Sequence, residues 1–176
     1  SRASYFHNSI GGYHAAKLIR YNELIQNNKI TKPSVLSMLN CGWIIDKFLP
    51  PGKKNKPENY VDIATRATSQ GIKPAGDAWF VSEIDTVENA NEELESLDSF
   101  IPETTAIIDK RFLDKISKFT KNESSTITLY QKSYKPNHLT YDLTNMTSDQ
   151  LAVFSEIYYE KGWNAYVEGN LVPHFR

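Results

Sequence analysis

The chain has one cysteine, Cys41, so no disulfide can form within it and a small disulfide-stapled scaffold is excluded. That count does not by itself place the chain in the cytosol. Neither sign of charge is in excess. Twenty Lys and Arg stand against 21 Asp and Glu, for a net charge of −1. Clustered Lys and Arg of the kind that track nucleic acid are not seen, so no nucleic acid is expected as a partner. The short run Lys53-Lys54-Asn55-Lys56 lies among prolines and reads as a solvated loop. Apolar clusters such as Trp43-Ile44-Ile45 are far too short to cross a bilayer, and there is no signal-peptide pattern. The patterns GxxxxGK[ST], GxSxG, HExxH and CxxC are all missing. The four histidines, His7, His14, His138 and His174, do not fall at metal-ligand spacings and read as surface or packed residues. Cys41, with no motif around it, reads as a small buried apolar residue. These readings assign no catalytic residue, no cofactor and no metal ligand.

The composition is that of an ordinary globular chain. Of 176 residues, 40% are hydrophobic and 23% charged, and ten Tyr, eight Phe and three Trp supply enough ring surface for a packed core. The length suits one domain, with residues 1–42 helical and 43–176 mixed and mostly β. The densest β-type stretch is Leu151–Phe175. Leu151–Tyr159 is rich in branched and aromatic residues, Glu160-Lys161-Gly162 breaks it, and Trp163–Val167 alternates large with small. Glu168-Gly169-Asn170 then turns into Leu171–Phe175, so the stretch reads as a hairpin.

Upstream, Ala15, Leu18, Tyr21 and Ile25 share one face of a helix starting near Tyr13 and fraying at Asn27-Asn28, after a lead-in that holds Gly11-Gly12. Pro33–Leu39 reads as a short helix opened by proline, and Trp43–Phe48 as a buried strand. Pro50–Tyr60 is an exposed loop, Tyr60–Thr68 is compatible with strand or helix, and Gly71–Asp77 is turn-like. Ala78–Val87 is a strand, and Glu88–Phe100 a helix capped by Asn91 with Glu92 and Glu93 in its first turn. Thr104–Asp109, Ser125–Ser133 and Leu139–Leu143 are further strands, Phe112–Phe119 a helical turn or two, and Asn145–Gln150 a polar turn. Helices lead and strands follow, which predicts an α+β fold: N-terminal helices packed beside an antiparallel β-sheet or β-sandwich formed mainly by the C-terminal half. The expected core is Leu18, Ile25, Leu39, Trp43, Trp79, Val81, Leu94, Val153, Phe154, Ile157, Trp163, Tyr166 and Val172. Val153 and Phe154 both stand there because the strand's pattern does not settle which faces inward.

Three features bear on function. Tyr158, Tyr159, Trp163 and Tyr166 lie near a turn, where exposed rings form a platform that stacks on sugar; the competing reading puts alternate members in the core. The acidic residues Glu83, Asp85, Glu156 and Glu160 would serve glycoside hydrolysis only if two of them faced each other across a cleft. Asn122-Glu123-Ser124 and Asn145-Met146-Thr147 match the N-glycosylation acceptor pattern, which is common by chance.

The segments SYFHNSIGGYHAAKLIRYNELI (Ser4–Ile25) and AVFSEIYYEKGWNAYVEGNLVPHFR (Ala152–Arg176) carry a resemblance, supported by VLSMLNCGWII (Val35–Ile45), GDAWFVSEI (Gly76–Ile84) and TTAIIDKRF (Thr104–Phe112). Together they resemble the soluble, extracytoplasmic C-terminal region of bacterial YfhO-like integral membrane proteins of the Bacteroidetes type. That family looks related to the multi-span glycosyltransferases that use lipid-linked sugars. The resemblance implies a periplasmic or exterior cell-envelope location within an integral membrane protein. It implies the membrane domain of the same parent chain as a partner, with cell-envelope glycan or lipid-linked sugar as a further one. It carries no catalytic residue onto this chain, since the catalytic carboxylates of such enzymes lie on loops between membrane helices. The first residue, Ser1 rather than Met, and the strand reaching Arg176 suggest a piece of a longer protein. The expected role is a non-catalytic accessory domain that binds glycan or acceptor or packs on the membrane part. The alternatives are an independent carbohydrate-active hydrolase of the cell envelope and a purely structural or interaction module.

Overall fold

The computed structural model describes residues 9–10, 18–117, 119, 128–135, 137–144 and 149–176. The start of the first helix at Tyr13, the pair Gly11-Gly12, His7, His14 and both glycosylation patterns lie outside them. Helix α1 spans Ile19–Gln26 and ends through Asn27 into Asn28, which takes left-handed dihedrals (φ 55°), so the expected fraying point is the observed one. Leu18 stands at the exposed start of this helix rather than in the core. The Tyr21 hydroxyl donates to the Ile10 carbonyl, tying α1 to the lead-in.

Helix α2, Pro33–Met38, begins at a proline whose missing N–H costs nothing in the first turn. It is short but central. Val35 is fully buried, the Ser34 hydroxyl donates to the Leu97 carbonyl at 2.8 Å, and the Ser37 hydroxyl lies 2.6 Å from the Lys73 carbonyl and 3.1 Å from a Glu103 carboxylate oxygen. The Ala75 amide returns a bond to the Ser37 carbonyl. Three distant segments are thereby pinned to two turns of helix.

The fold is α+β: the first two helices lead, and from there strands dominate. Among the described residues the strands are arranged as five two-stranded pairs, not as one continuous sheet. Strands β1 (Trp43–Phe48) and β2 (Val61–Arg66) pair antiparallel, which settles Tyr60–Thr68 as strand followed by a 3₁₀ turn at Ala67–Gln70. The segment Ala78–Val87 is not one strand. It bends at Ser82, where the amides of Ser82 and Glu83 both donate to the Thr104 carbonyl, and so yields β3 (Ala78–Val81) and β4 (Glu83–Val87). Strand β3 pairs antiparallel with β8 (Leu151–Phe154). Strand β4 pairs parallel with β5 (Thr105–Asp109), with helix α3 (Ala90–Ser96) in the crossover. Strands β6 (Thr128–Lys135) and β7 (His138–Thr144) form an antiparallel pair. So do β9 (Ala165–Val167) and β10 (Asn170–Val172).

The cap of α3 is Asn89, not Asn91. Its side chain accepts from the amides of Asn91 and Glu92, while the Glu92 carboxylate accepts from the Glu88 amide, a near-reciprocal box that satisfies the orphan N–H groups. The turn expected around Phe112–Phe119 is a 3₁₀ segment over Lys110–Ile116.

The core lies where α2, β3, the parallel pair and α3 meet: Val35, Val81, Val87, Leu97 and Ile108 are buried, with Ala67 and Ile72. Of the residues expected there, Val81 is buried, whereas Ile25, Leu39, Trp79, Leu94, Val153, Trp163 and Val172 are half-buried. Trp43, Phe154, Ile157 and Tyr166 are exposed, which corrects their assignment. The register explains Phe154. Val153 stands opposite Trp79 and Leu151 opposite Val81, so Val153 shares the side of the buried Val81 and Phe154 takes the other. Cys41 is half-buried, with its thiol donating to the Trp43 carbonyl at 3.4 Å, rather than buried.

Candidate functional site

The stretch after β8 departs from the expected hairpin. Leu151–Phe154 pairs with β3, and only Ala165–Val172 folds back on itself. Its two-residue turn is Glu168-Gly169, both left-handed (φ 50° and 82°), the geometry whose twist suits a tight hairpin. In that register Tyr166 stands opposite Leu171 on an exposed face, while Ala165 and Val172 form the half-buried one. Tyr166 is therefore 62% exposed because of a single position of phase along the strand.

Between β8 and β9 the loop is ordered by its own aromatics. The amides of Gly162 and Trp163 both donate to the Tyr159 carbonyl, and the Trp163 indole N–H donates to the Ile157 carbonyl at 3.2 Å. The Tyr159 ring covers Gly162 so closely that a Cβ there would lie 2.7 Å from Tyr159 Cδ1. Tyr158 tilts against His174, with ring centroids 6.1 Å apart. The chain beyond is fastened to the body by Phe175 stacked on Phe112 at 5.3 Å and by Arg176 paired with Glu93 at 3.0 Å. The four candidate sugar-binding rings thus divide into two roles. Tyr158 and Trp163 are half-buried and hold the loop; Tyr159, 50% exposed, and Tyr166 present ring surface to solvent.

A second constellation was not foreseen from the residues. Antiparallel pairing of β3 with β8 continues past the strand ends, where the Ser155 amide donates to the Asp77 carbonyl at 2.9 Å. This brings Asp77 and Glu156 together from distant parts of the sequence. Burial, and then the Asp77 charge, push the Glu156 carboxyl above its ordinary value. Burial also raises the Tyr141 phenol, with Glu156 and Asp77 adding to it against a 3.5 Å hydrogen bond from Gln131 that acts the other way. Asn40, left-handed at the end of α2 (φ 52°), donates to Asp77 Oδ1 at 2.8 Å, and the Tyr141 ring meets Phe154 edge-on at 5.1 Å. The Ser155 hydroxyl is buried with no hydrogen-bond partner among the described residues.

A carboxyl whose pKa is raised by burial and by a neighbouring carboxylate is one ingredient of acid–base chemistry. The carboxylate whose charge acts on Glu156 is Asp77. Glu83, Asp85 and Glu160, considered with it on sequence grounds, are exposed, the first two on β4 and the third in the loop before β9. Nothing local signals the Asp77–Glu156 approach, since it exists only through the β3–β8 register. Among the described residues, no three His, Cys, Asp or Glu gather as metal ligands, and no helix is long and apolar enough to cross a membrane.

An α+β chain of paired strands, with an aromatic loop and an acidic corner, is the class of protein that this geometry defines. No protein-family model, no curated protein and no solved structure matches it.

Proposed function

We propose that this chain is a non-catalytic accessory domain of a membrane glycosyltransferase-like protein, lying outside the cytoplasm and holding glycan or acceptor at its aromatic loop. The observation that carries the reading is the pair of solvent-facing rings, Tyr159 and Tyr166, on backbone that is fixed by Trp163, Gly162 and the Glu168-Gly169 turn. Rings presented on ordered backbone lose little conformational freedom when a sugar face stacks on them. The resemblance to the YfhO-like extracytoplasmic region supports the same role, with the membrane domain of the parent chain as its neighbour.

Titration of the ¹⁵N-labelled chain with soluble cell-envelope glycan fragments tests it. Shifts confined to 157–172 and removed by Tyr159→Ala or Tyr166→Ala are expected. Silence across the panel would leave only packing on the membrane part.

The Glu156–Asp77 approach favours a second reading, a carbohydrate-active hydrolase with Glu156 as the acid. It requires turnover of aryl glycosides that Glu156→Gln abolishes while the fold is retained.

A further inference from the structure

The β1–β2 ribbon has exposed apolar residues on both of its faces. A strand pair lying flat on a core alternates buried with exposed; here β1 and β2 are exposed at nearly every position. In the register Trp43↔Arg66, Ile45↔Ala64 and Lys47↔Asp62, one face shows Trp43 and Ile45, with the Arg66 guanidinium 5.0 Å over the Trp43 ring. The alternate positions, Phe48↔Val61 and Asp46↔Ile63, give the other face Phe48, Val61 and Ile63. These five side chains are each between 39% and 55% exposed. Among the described residues the ribbon's strands pair only with each other, and it joins the body at its base, where the Ala67 amide donates to the Gly42 carbonyl and Ala67 is fully buried. Apolar surface held out in this way marks a contact surface.

The far end of the ribbon says what it contacts. Lys53, Lys54 and Lys56 all project from the 49–60 loop, where Glu58 is the one acidic residue, 3.9 Å from Lys56 with both side chains mostly exposed. Over residues 43–66 there are five basic residues against three acidic, in a chain whose net charge is −1, so positive charge is concentrated on this arm. The loop is also built. The Lys54 carbonyl accepts from the Asn59 side chain at 2.9 Å, the Tyr60 hydroxyl donates to Asn55 at 2.9 Å, and Pro57–Asn59 forms a 3₁₀ turn. A fixed basic tip directly beyond Phe48 and Val61 matches the chemistry of a bilayer interface, where lysines meet anionic headgroups and adjacent apolar side chains enter the acyl boundary.

We propose that the β1–β2 ribbon is a membrane-docking arm whose occupant is an anionic lipid surface. It is a different segment of the chain from the aromatic loop and needs no glycan bound there.

Co-sedimentation of the whole chain with phosphatidylcholine vesicles, with and without phosphatidylglycerol, tests it. Binding to the anionic vesicles alone, weakening as salt rises, is expected. Near such a surface one basic residue changes partition about fivefold. Replacing all three lysines (Lys53→Gln, Lys54→Gln, Lys56→Gln) then lowers it on the order of a hundredfold. Phe48→Ser with Val61→Ser, both exposed and so not expected to unfold the chain, lowers it too; circular dichroism of each variant checks the fold. Absence of binding to anionic vesicles at low salt overturns the proposal, as does binding that the lysine variant leaves unchanged. A concentration-dependent dimer that Phe48→Ser dissolves would overturn it in favour of a second copy of the chain.

Discussion

The β4–β5 pair and the β1–β2 ribbon are made of similar material and meet opposite fates. EIDTV and TAIID on one side, WIIDKF and VDIATR on the other, are short strands of branched residues interrupted by Asp, Glu or Thr. In the parallel pair Val87 and Ile108 are buried; in the ribbon no position of either strand is. The connection makes the difference. A parallel pair needs a crossover, the crossover here is α3, and the helix lays Leu97 among the buried residues that include Val87 and Ile108. An antiparallel pair closes through a loop, satisfies the hydrogen bonds between its strands and requires no cover. Strand-forming side chains thus specify extended backbone, and the connection decides whether that backbone reaches a core.

The largest effect that would test this contrast is Ile108→Ala, at a site 3% exposed, expected to cost about 2–5 kcal/mol by urea denaturation. A loss below that range would mean the parallel pair is not the centre of the core. Next comes Asn89→Ala, which removes the cap that starts the crossover helix and should cost about 1 kcal/mol by the same measurement. Ile63→Ala, the ribbon counterpart of the Ile108 change, should fall within about 0.5 kcal/mol of the parent. If Ile63→Ala cost as much as Ile108→Ala, the ribbon would be covered and the contrast would collapse.

The smallest effect is a pH slope at the acidic corner beside β8. Glu156 has a raised folded-state pKa, so its contribution is fully present below the ordinary glutamate range and is lost as pH rises through the folded value. Thermal melts of Glu156→Gln should match the parent in acid and exceed it near neutral pH. Equal melting at both would remove the Asp77–Glu156 approach from the account.

How far the residues could be read depends on the range of the interaction. The end of α1 at Asn27-Asn28, the proline start of α2, the Lys53–Lys56 loop and the tight Glu168-Gly169 turn are local events, settled by backbone preferences within a few residues. The cap of α3 lies two residues before the expected Asn91 because Asn is an equally good cap at either position, and the bonds that Asn89 accepts, with the Glu92 return bond, distinguish them. The break at Ser82 was invisible, since it depends on the Thr104 carbonyl accepting two amides. Of the candidate site, the four rings were visible as a cluster, but which of them face solvent was not: a period of two defines two faces without naming the inner one.

Composition and pattern determined that this chain is α+β, that its turns at Asn27-Asn28 and Glu168-Gly169 fall where they do, and that no disulfide forms within it. Tertiary structure alone decided that Val153 and not Phe154 faces the core, that the Asp77 charge acts on Glu156, and that Trp43 and Phe48 stand out in solvent. Dihedral preference acts between neighbours along the chain. Burial and charge proximity are properties of the partner that the rest of the chain delivers, and that partner is selected by register and connection.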